Sequence, residues 1–271
     1  MPRIALGLEY DGRGYAGWQA QAGLATIQGV AEAALSIVAD EPIGLTCAGR
    51  TDAGVHAVGQ VAHFDTGARR TMRGWTLGAN TNLPSDVSVQ WAREVPEHFH
   101  ARYSATSRTY HYLILNRGTR SALLRGRATL IHHPLDEGRM AEAAGYLVGE
   151  HDFSAFRAAE CQSRTPVRRL DQLAVERRGE WVILRATANA FLHHMVRNIA
   201  GLLIAVGRGR APPARAREVL ASRDRTLNAA TAPPDGLYLW HVLYAESFAL
   251  PAPAGDSAWD IIPSLPRPGS P

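Results

Sequence analysis

The chain has 271 residues, enough for one large domain or two small ones, with 46% hydrophobic residues, a formal net charge of +4 and a pI near 9.4. The mildly basic balance suits nucleic acid but is common among proteins that bind none, and no stretch approaches the ~20 continuous apolar residues of a membrane span. Two cysteines, Cys47 and Cys161, with no CxxC pair, exclude a disulfide framework and fit a reducing cytoplasm. The opening MPRIALGLEYDG enters a strand directly, with neither an apolar h-region nor a cleavage site. All 29 basic residues other than histidine are arginine, so any charged grip on phosphate must come from guanidinium forks.

In chain order, Arg3 to Tyr10 reads as a strand and Asp11 to Gly17 as a glycine-rich loop. That loop lacks the Gly-Lys-Ser/Thr ending of a phosphate loop, so its glycines read as permitting a tight turn and close backbone approach. Thr26 can cap a helix whose apolar residues Ile27, Val30, Ala31, Ala34, Leu35 and Val38 keep helical spacing. Ile43 to Cys47 and Val55 to Phe64 read as two strands, Met72 to Leu83 as a helix and Asp86 to Val95 as a strand. The first half is thus β-α-β-β-α-β. In the second half Arg108 to Leu115 is a strong strand and Leu135 to Val148 a helix. Arg168 to Glu176 and Glu180 to Ala188 form a hairpin, and Phe191 to Val206 and Pro213 to Ala221 are helices. Leu237 to Tyr244 closes as a strand.

This order predicts an α+β protein built from two ferredoxin-like, RRM-like halves, with joined, mainly antiparallel sheets, helices packed on them and a cleft between. The expected division is 1–105, 106–248 and a Pro-rich tail, 249–271, that is aperiodic and expected to be disordered.

Asp52 lies on the short connection Gly49-Arg50-Thr51-Asp52-Ala53-Gly54 between two strands. An aspartate there serves either as a turn residue or as a reactive group held by a rigid sheet. Tyr110 and Tyr112, two apart in a strand, share one face, which is either core or a surface for stacking bases. On the helix from Phe191, His193 and Arg197 are four apart and share a flank, where Arg197 is either solvated or aimed at a carboxylate that it keeps ionised. The pairs His132-His133 and His193-His194 lack the spacing of a metal site, and no metal is expected.

The segments EYDGRGYAGWQ, AGRTDAGVHAVGQVAHF, NTNLP, FHARYSATSRTYHY, DFSAFRA, CQSRTPVR, NAFLHHMVRNIAG and GLYL, taken in order, resemble the motifs of the tRNA pseudouridine synthase A family. The resemblance runs from about Arg3 to Tyr244. It implies isomerisation of uridine to pseudouridine at positions 38, 39 and 40 in the anticodon stem-loop of tRNA, by a cytoplasmic homodimer without a cofactor. Asp52 then matches the catalytic aspartate, and Arg50 an arginine that helps flip out the target nucleotide. Tyr110 matches the tyrosine that packs on the uracil, Arg197 the arginine paired with the aspartate, and Leu237 an apolar residue of the pocket. Without the resemblance, an RNA-binding protein on the same sheets and a hydrolase using Asp52 with a histidine remain as alternatives.

Overall fold

The computed structural model describes residues 1–251. From the N-terminus run β1 (Arg3–Tyr10), α1 (Ile27–Ala39), β2 (Thr46–Cys47), β3 (His56–Asp65), α2 (Met72–Asn82) and β4 (Val87–Val95). Next come β5 (Ala105–Asn116), β6 (Thr129–Ile131), α3 (Glu137–Gly145), β7 (Gly149–Asp152), β8 (Val167–Arg178) and β9 (Trp181–Ala188). Helices α4 (Met195–Gly207) and α5 (Arg215–Ser222) precede β10 (Leu237–Tyr244). No helix among the described residues is long and apolar enough to cross a membrane. The expected tail lies almost wholly outside the described residues.

The chain forms two compact units. One is Met1–Ser107 with the described residues from Tyr238 on; the other is Arg108–Leu237. The sequence-based boundary at 105/106 falls inside β5, and the closing strand, expected with the second half, belongs from Tyr238 with the first.

In the first unit the strands stand in the order β4-β1-β3-β10. β1 is antiparallel to both β3 and β4. β10 runs parallel to β3, with Tyr238 opposite His56 and Leu239 opposite Ala57. A side-chain carbon on Gly59 would lie 2.4 Å from the Trp240 carbonyl oxygen, so the two strands approach this closely only because position 59 is glycine. The helices start where their caps dictate: the Thr26 side chain accepts from the Gly29 N–H and the Thr71 side chain from the Gly74 N–H. Leu6, Leu8, Ile27, Leu35, Phe64 and Trp75 are buried, and the Phe64 and Trp75 rings meet edge to face at 5.1 Å.

The strand expected over Ile43 to Cys47 shrinks to Thr46–Cys47. The reason lies in α1: the Ile43 N–H donates to Ser36 Oγ (2.9 Å) and the Leu45 N–H to Glu32 Oε1 (2.8 Å). Side chains of the preceding helix thus satisfy the amides that a sheet ladder would use.

In the second unit the order is β5-β9-β8-β7, antiparallel throughout, with β6 parallel to β5. The hairpin turns at Gly179, whose φ of +56° is the left-handed conformation glycine tolerates. α3 is shorter than its apolar pattern. Asp136 caps it through the Arg139 N–H, and the Leu135 N–H is taken by Asn116 Oδ1 (3.1 Å). α4 begins at Met195, not Phe191, because His194 sits in the left-handed region at φ 62° and interrupts the helix there. His193 therefore precedes the helix, and it and Arg197 do not share a helical flank.

Asn198 ties this unit together from α4. It is fully buried; its Nδ2 donates to the Phe156 carbonyl (2.8 Å), and its Oδ1 accepts from Arg225 Nη2 (3.0 Å) and Thr231 Oγ1 (2.7 Å). Asn198→Ala leaves a buried carbonyl and part of a guanidinium unsatisfied and is expected to cost ~2–3 kcal/mol. The urea midpoint checks it; a loss below ~0.5 kcal/mol would show that the network carries no weight.

Candidate active site

Asp52 sits on the connection from β2 to β3, and nearly every residue around it is fixed by backbone or buried side-chain bonds. Gln60 of β3 is fully buried, and its Nε2 donates to the Gly49 carbonyl (2.6 Å) and to the Tyr10 hydroxyl oxygen (3.3 Å). The Tyr10 hydroxyl in turn shares a hydrogen bond with Thr51 Oγ1 (2.8 Å). One chain of side chains from β3 to β1 therefore clamps the loop on both sides of Arg50. Backbone bonds complete the hold. The Trp18 N–H donates to the Thr51 carbonyl (2.9 Å), the Val55 N–H to the Asp52 carbonyl (3.1 Å) and the Gly54 N–H to the Tyr15 carbonyl (3.3 Å). The Asp52 side chain is half-buried and Arg50 is exposed.

The glycine-rich loop is the other wall of this cradle. Gly17 has φ +94°, and a side-chain carbon on it would lie 2.7 Å from the Thr51 carbonyl oxygen and 3.1 Å from the Ala53 nitrogen. On Gly12 it would lie 2.0 Å from the Val55 carbonyl oxygen. These glycines admit close backbone approach, as their pattern predicts. Asp11 serves the same frame. Burial alone would raise its pKa, but hydrogen bonds from His56 and Arg13 outweigh this and hold it far below the usual carboxylate range. His56, fully buried, stacks on Tyr238 with centroids 4.5 Å apart.

The remaining candidates belong to the second unit. Tyr110 lies on β5 opposite Ala186, is 8% exposed and meets Phe191 edge to face at 5.1 Å. Tyr112 is core: its hydroxyl bonds Thr129 Oγ1 (2.6 Å) and donates to the Pro233 carbonyl (2.9 Å). Burial raises its pKa. Arg197 on α4 is half-buried rather than solvated. Its Nε donates to the Ala232 carbonyl (2.9 Å), and the Ala232 N–H donates back to the Arg197 carbonyl (3.1 Å), so the guanidinium is oriented by the segment leading to β10. Leu237 is buried at the start of β10, where its N–H closes the Pro234–Gly236 turn.

Sequence reading overlooked Tyr10 and Gln60. A signal existed for the glutamine: it interrupts the apolar stretch Ala57–Ala62 of β3, and a buried amide in such a place has to be hydrogen-bonded.

The fold and this loop define an α+β protein of mainly antiparallel sheets, with a carboxylate presented from a rigid strand connection. The sequence profile described as tRNA pseudouridine synthase matches residues 8–104 and 143–245. A tRNA pseudouridine synthase A of Methylococcus capsulatus is 60% identical over 262 residues, spanning 97% of this chain and 96% of the relative. Relatives of the same name from Nitrosococcus oceani (54% identical, 92% of this chain and 96% of the relative) and Alcanivorax borkumensis (55%, 93% and 94%) are also similar. The chain belongs to the tRNA pseudouridine synthase family.

Two glycine variants separate the close approach from backbone strain. Gly17→Ala meets both a positive φ and the Thr51 carbonyl, whereas Gly23→Ala, at φ +76°, meets no atom within 4 Å. Gly23→Ala is expected to cost ~1 kcal/mol and Gly17→Ala at least ~2 kcal/mol. Equal losses in chemical denaturation would show that the Gly17–Thr51 contact is not the constraint.

Proposed function

We propose that this chain isomerises uridine to pseudouridine at positions 38, 39 and 40 in the anticodon stem-loop of tRNA, with Asp52 as the reactive carboxylate. On this reading it works as a cytoplasmic homodimer without a cofactor. Family membership supports the reaction. The observation that supports Asp52 is the rigidity of its loop: a side chain held by a pre-formed frame is what positioning catalysis requires.

The reaction breaks the bond from N1 to C1′, turns the detached uracil and joins C5 to C1′; the proton lost from C5 balances the one gained at N1. An ionised carboxylate can attack C1′ or C6, and a carboxylate can also take a proton from the ribose. The target nucleotide has to leave the stack first, which costs a few kcal/mol. Arg50, exposed beside Asp52, is proposed to hold the displaced strand, Tyr110 to pack on the uracil and Leu237 to line its pocket. Tyr110 is fitted to this because Phe191 sets its ring.

Asp52→Asn removes the nucleophile while nearly conserving volume. It is expected to abolish tritium release from tRNA labelled at uridine C5 and to leave tRNA binding within several-fold. Turnover at a tenth of the normal rate would refute the role.

Arg197 is proposed to favour the ionised form of the catalytic carboxylate. Its loss would then raise the carboxyl pKa, so Arg197→Met is slow near neutral pH and recovers in part as pH rises. Arg197→Lys keeps a charge and more activity. Single-turnover rates from pH 6 to 9 check this. An unmoved pH profile with a shallower salt dependence of binding would make Arg197 a phosphate contact instead.

A further inference from the structure

Among the described residues one aromatic side chain stands out in solvent. Tyr103 is 76% exposed, whereas every other exposed large apolar residue is aliphatic. It is carried on a turn held by hydrogen bonds on both sides. The Arg102 and Tyr103 N–H groups both donate to His100 Nδ1 at 3.2 Å, and the Ala101 N–H donates to His63 Nδ1 at 3.2 Å. Burial, helped by the charges of Arg3 and His100, pushes His63 down to about 4, so at neutral pH its Nδ1 is an acceptor. The His100 N–H bonds Ser104 Oγ (2.9 Å), and the Tyr244 hydroxyl donates to the Ala101 carbonyl (2.6 Å). Phe99, fully buried against Tyr244 and Phe248, anchors the start of the turn.

The surroundings of the ring define its partner. Arg102 places its guanidinium carbon 5.6 Å from the Tyr103 centroid, and the His100 ring lies 4.3 Å from it. No acidic residue occurs between Glu97 and Asp136, a stretch that carries Arg102 and five further arginines. The turn is tied to β3, the strand that follows the Asp52 loop: the Ala101 N–H bonds His63, which lies opposite Thr46 of β2. The Cys47 thiol, pushed up to about 12 by burial, is pulled back by the charges of both Arg50 and Arg102. A rigid, exposed aromatic face beside arginine suits a ligand with its own π-face and a negative backbone.

We propose that Tyr103 and Arg102 form a stacking subsite for an unpaired nucleotide of the RNA substrate, the base lying on the tyrosine ring and its phosphate meeting the guanidinium. This rests on the reading of the chain as a tRNA-modifying enzyme and adds a contact outside the target uridine's own site. The arrangement is preformed, so the base gains stacking without the protein having to order a loop.

The test is binding of an unmodified tRNA transcript to the full chain in an Asp52→Asn background, where no turnover intervenes. Tyr103→Phe keeps the π-face and should bind within twofold of the parent. Tyr103→Leu keeps apolar volume without the face and should weaken binding by about five- to a hundredfold. Arg102→Gln should weaken it and lower the slope of log K against log salt by about 1. Tyr103→Leu binding as tightly as the parent overturns the proposal. So does a Tyr103→Leu protein that loses affinity only by changing its oligomeric state in sedimentation, since the ring would then be covered by a second copy. Tritium release by the unmutated chain tests the catalytic reading separately: its absence, with Tyr103-dependent binding intact, would remove the activity and leave the subsite.

Discussion

The contact on which the first unit depends is the meeting of two loops without side chains between them. Gly17 lies against the Thr51 carbonyl and Gly12 against the Val55 carbonyl, closer than any side-chain carbon allows. Everything else about the Asp52 loop follows from that proximity. The Trp18 and Gly54 amides can bond across it, and the Tyr10 hydroxyl can reach Thr51 while Gln60 reaches Gly49. The bonds are individually modest, but together they hold the loop backbone on both sides of Asp52. A flexible loop would have to be ordered each time substrate bound; this one carries that cost in folding.

The second unit solves a different problem with similar means. α4 buries an apolar stripe, yet Asn198 and Arg197 of the same helix make specific polar bonds. Asn198 joins the helix to the Phe156 carbonyl and to the Arg225–Thr231 segment, and Arg197 exchanges bonds with Ala232. The segment between α5 and β10 is therefore fixed from both ends. Side-chain networks of this kind specify one arrangement where apolar packing alone would accept several.

What could be read from the sequence follows from the range of the interactions involved. The span of β1 and the cap at Thr26 depend on residues within a few positions of each other and are legible. The close approach of the glycine-rich loop is legible because glycine is the residue that permits it. The shortened strand at Ile43 is not, since its amides are taken by Ser36 and Glu32 from the helix before it. Nor is the start of α4, which a left-handed His194 delays against an uninterrupted apolar pattern. The clamp from Gln60 through Tyr10 to Thr51 spans residues 41 to 50 apart, beyond the reach of any local pattern. Tyr103 hides for the opposite reason: a tyrosine beside a strong strand reads as core, and only the turn's bonds to His100 and His63 keep it outside.

The parallel pairing of β10 on β3 has a consequence for how the protein is made. The first unit spans Met1–Ser107, but its last strand arrives roughly 130 residues later. At a synthesis rate of ~5–20 residues per second, β3 waits on the order of ten seconds on the ribosome before Tyr238 can stack on His56. In that interval β2 covers β3 at Ala62 and His63, but the edge at His56 and Ala57 stays unpaired, the kind of surface other chains can add to. The described residues of the second unit, Arg108–Leu237, are contiguous and can close on themselves as they emerge. The unit that carries Asp52 is thus begun first and finished last, and its sheet is complete only when nearly all of the chain has been translated.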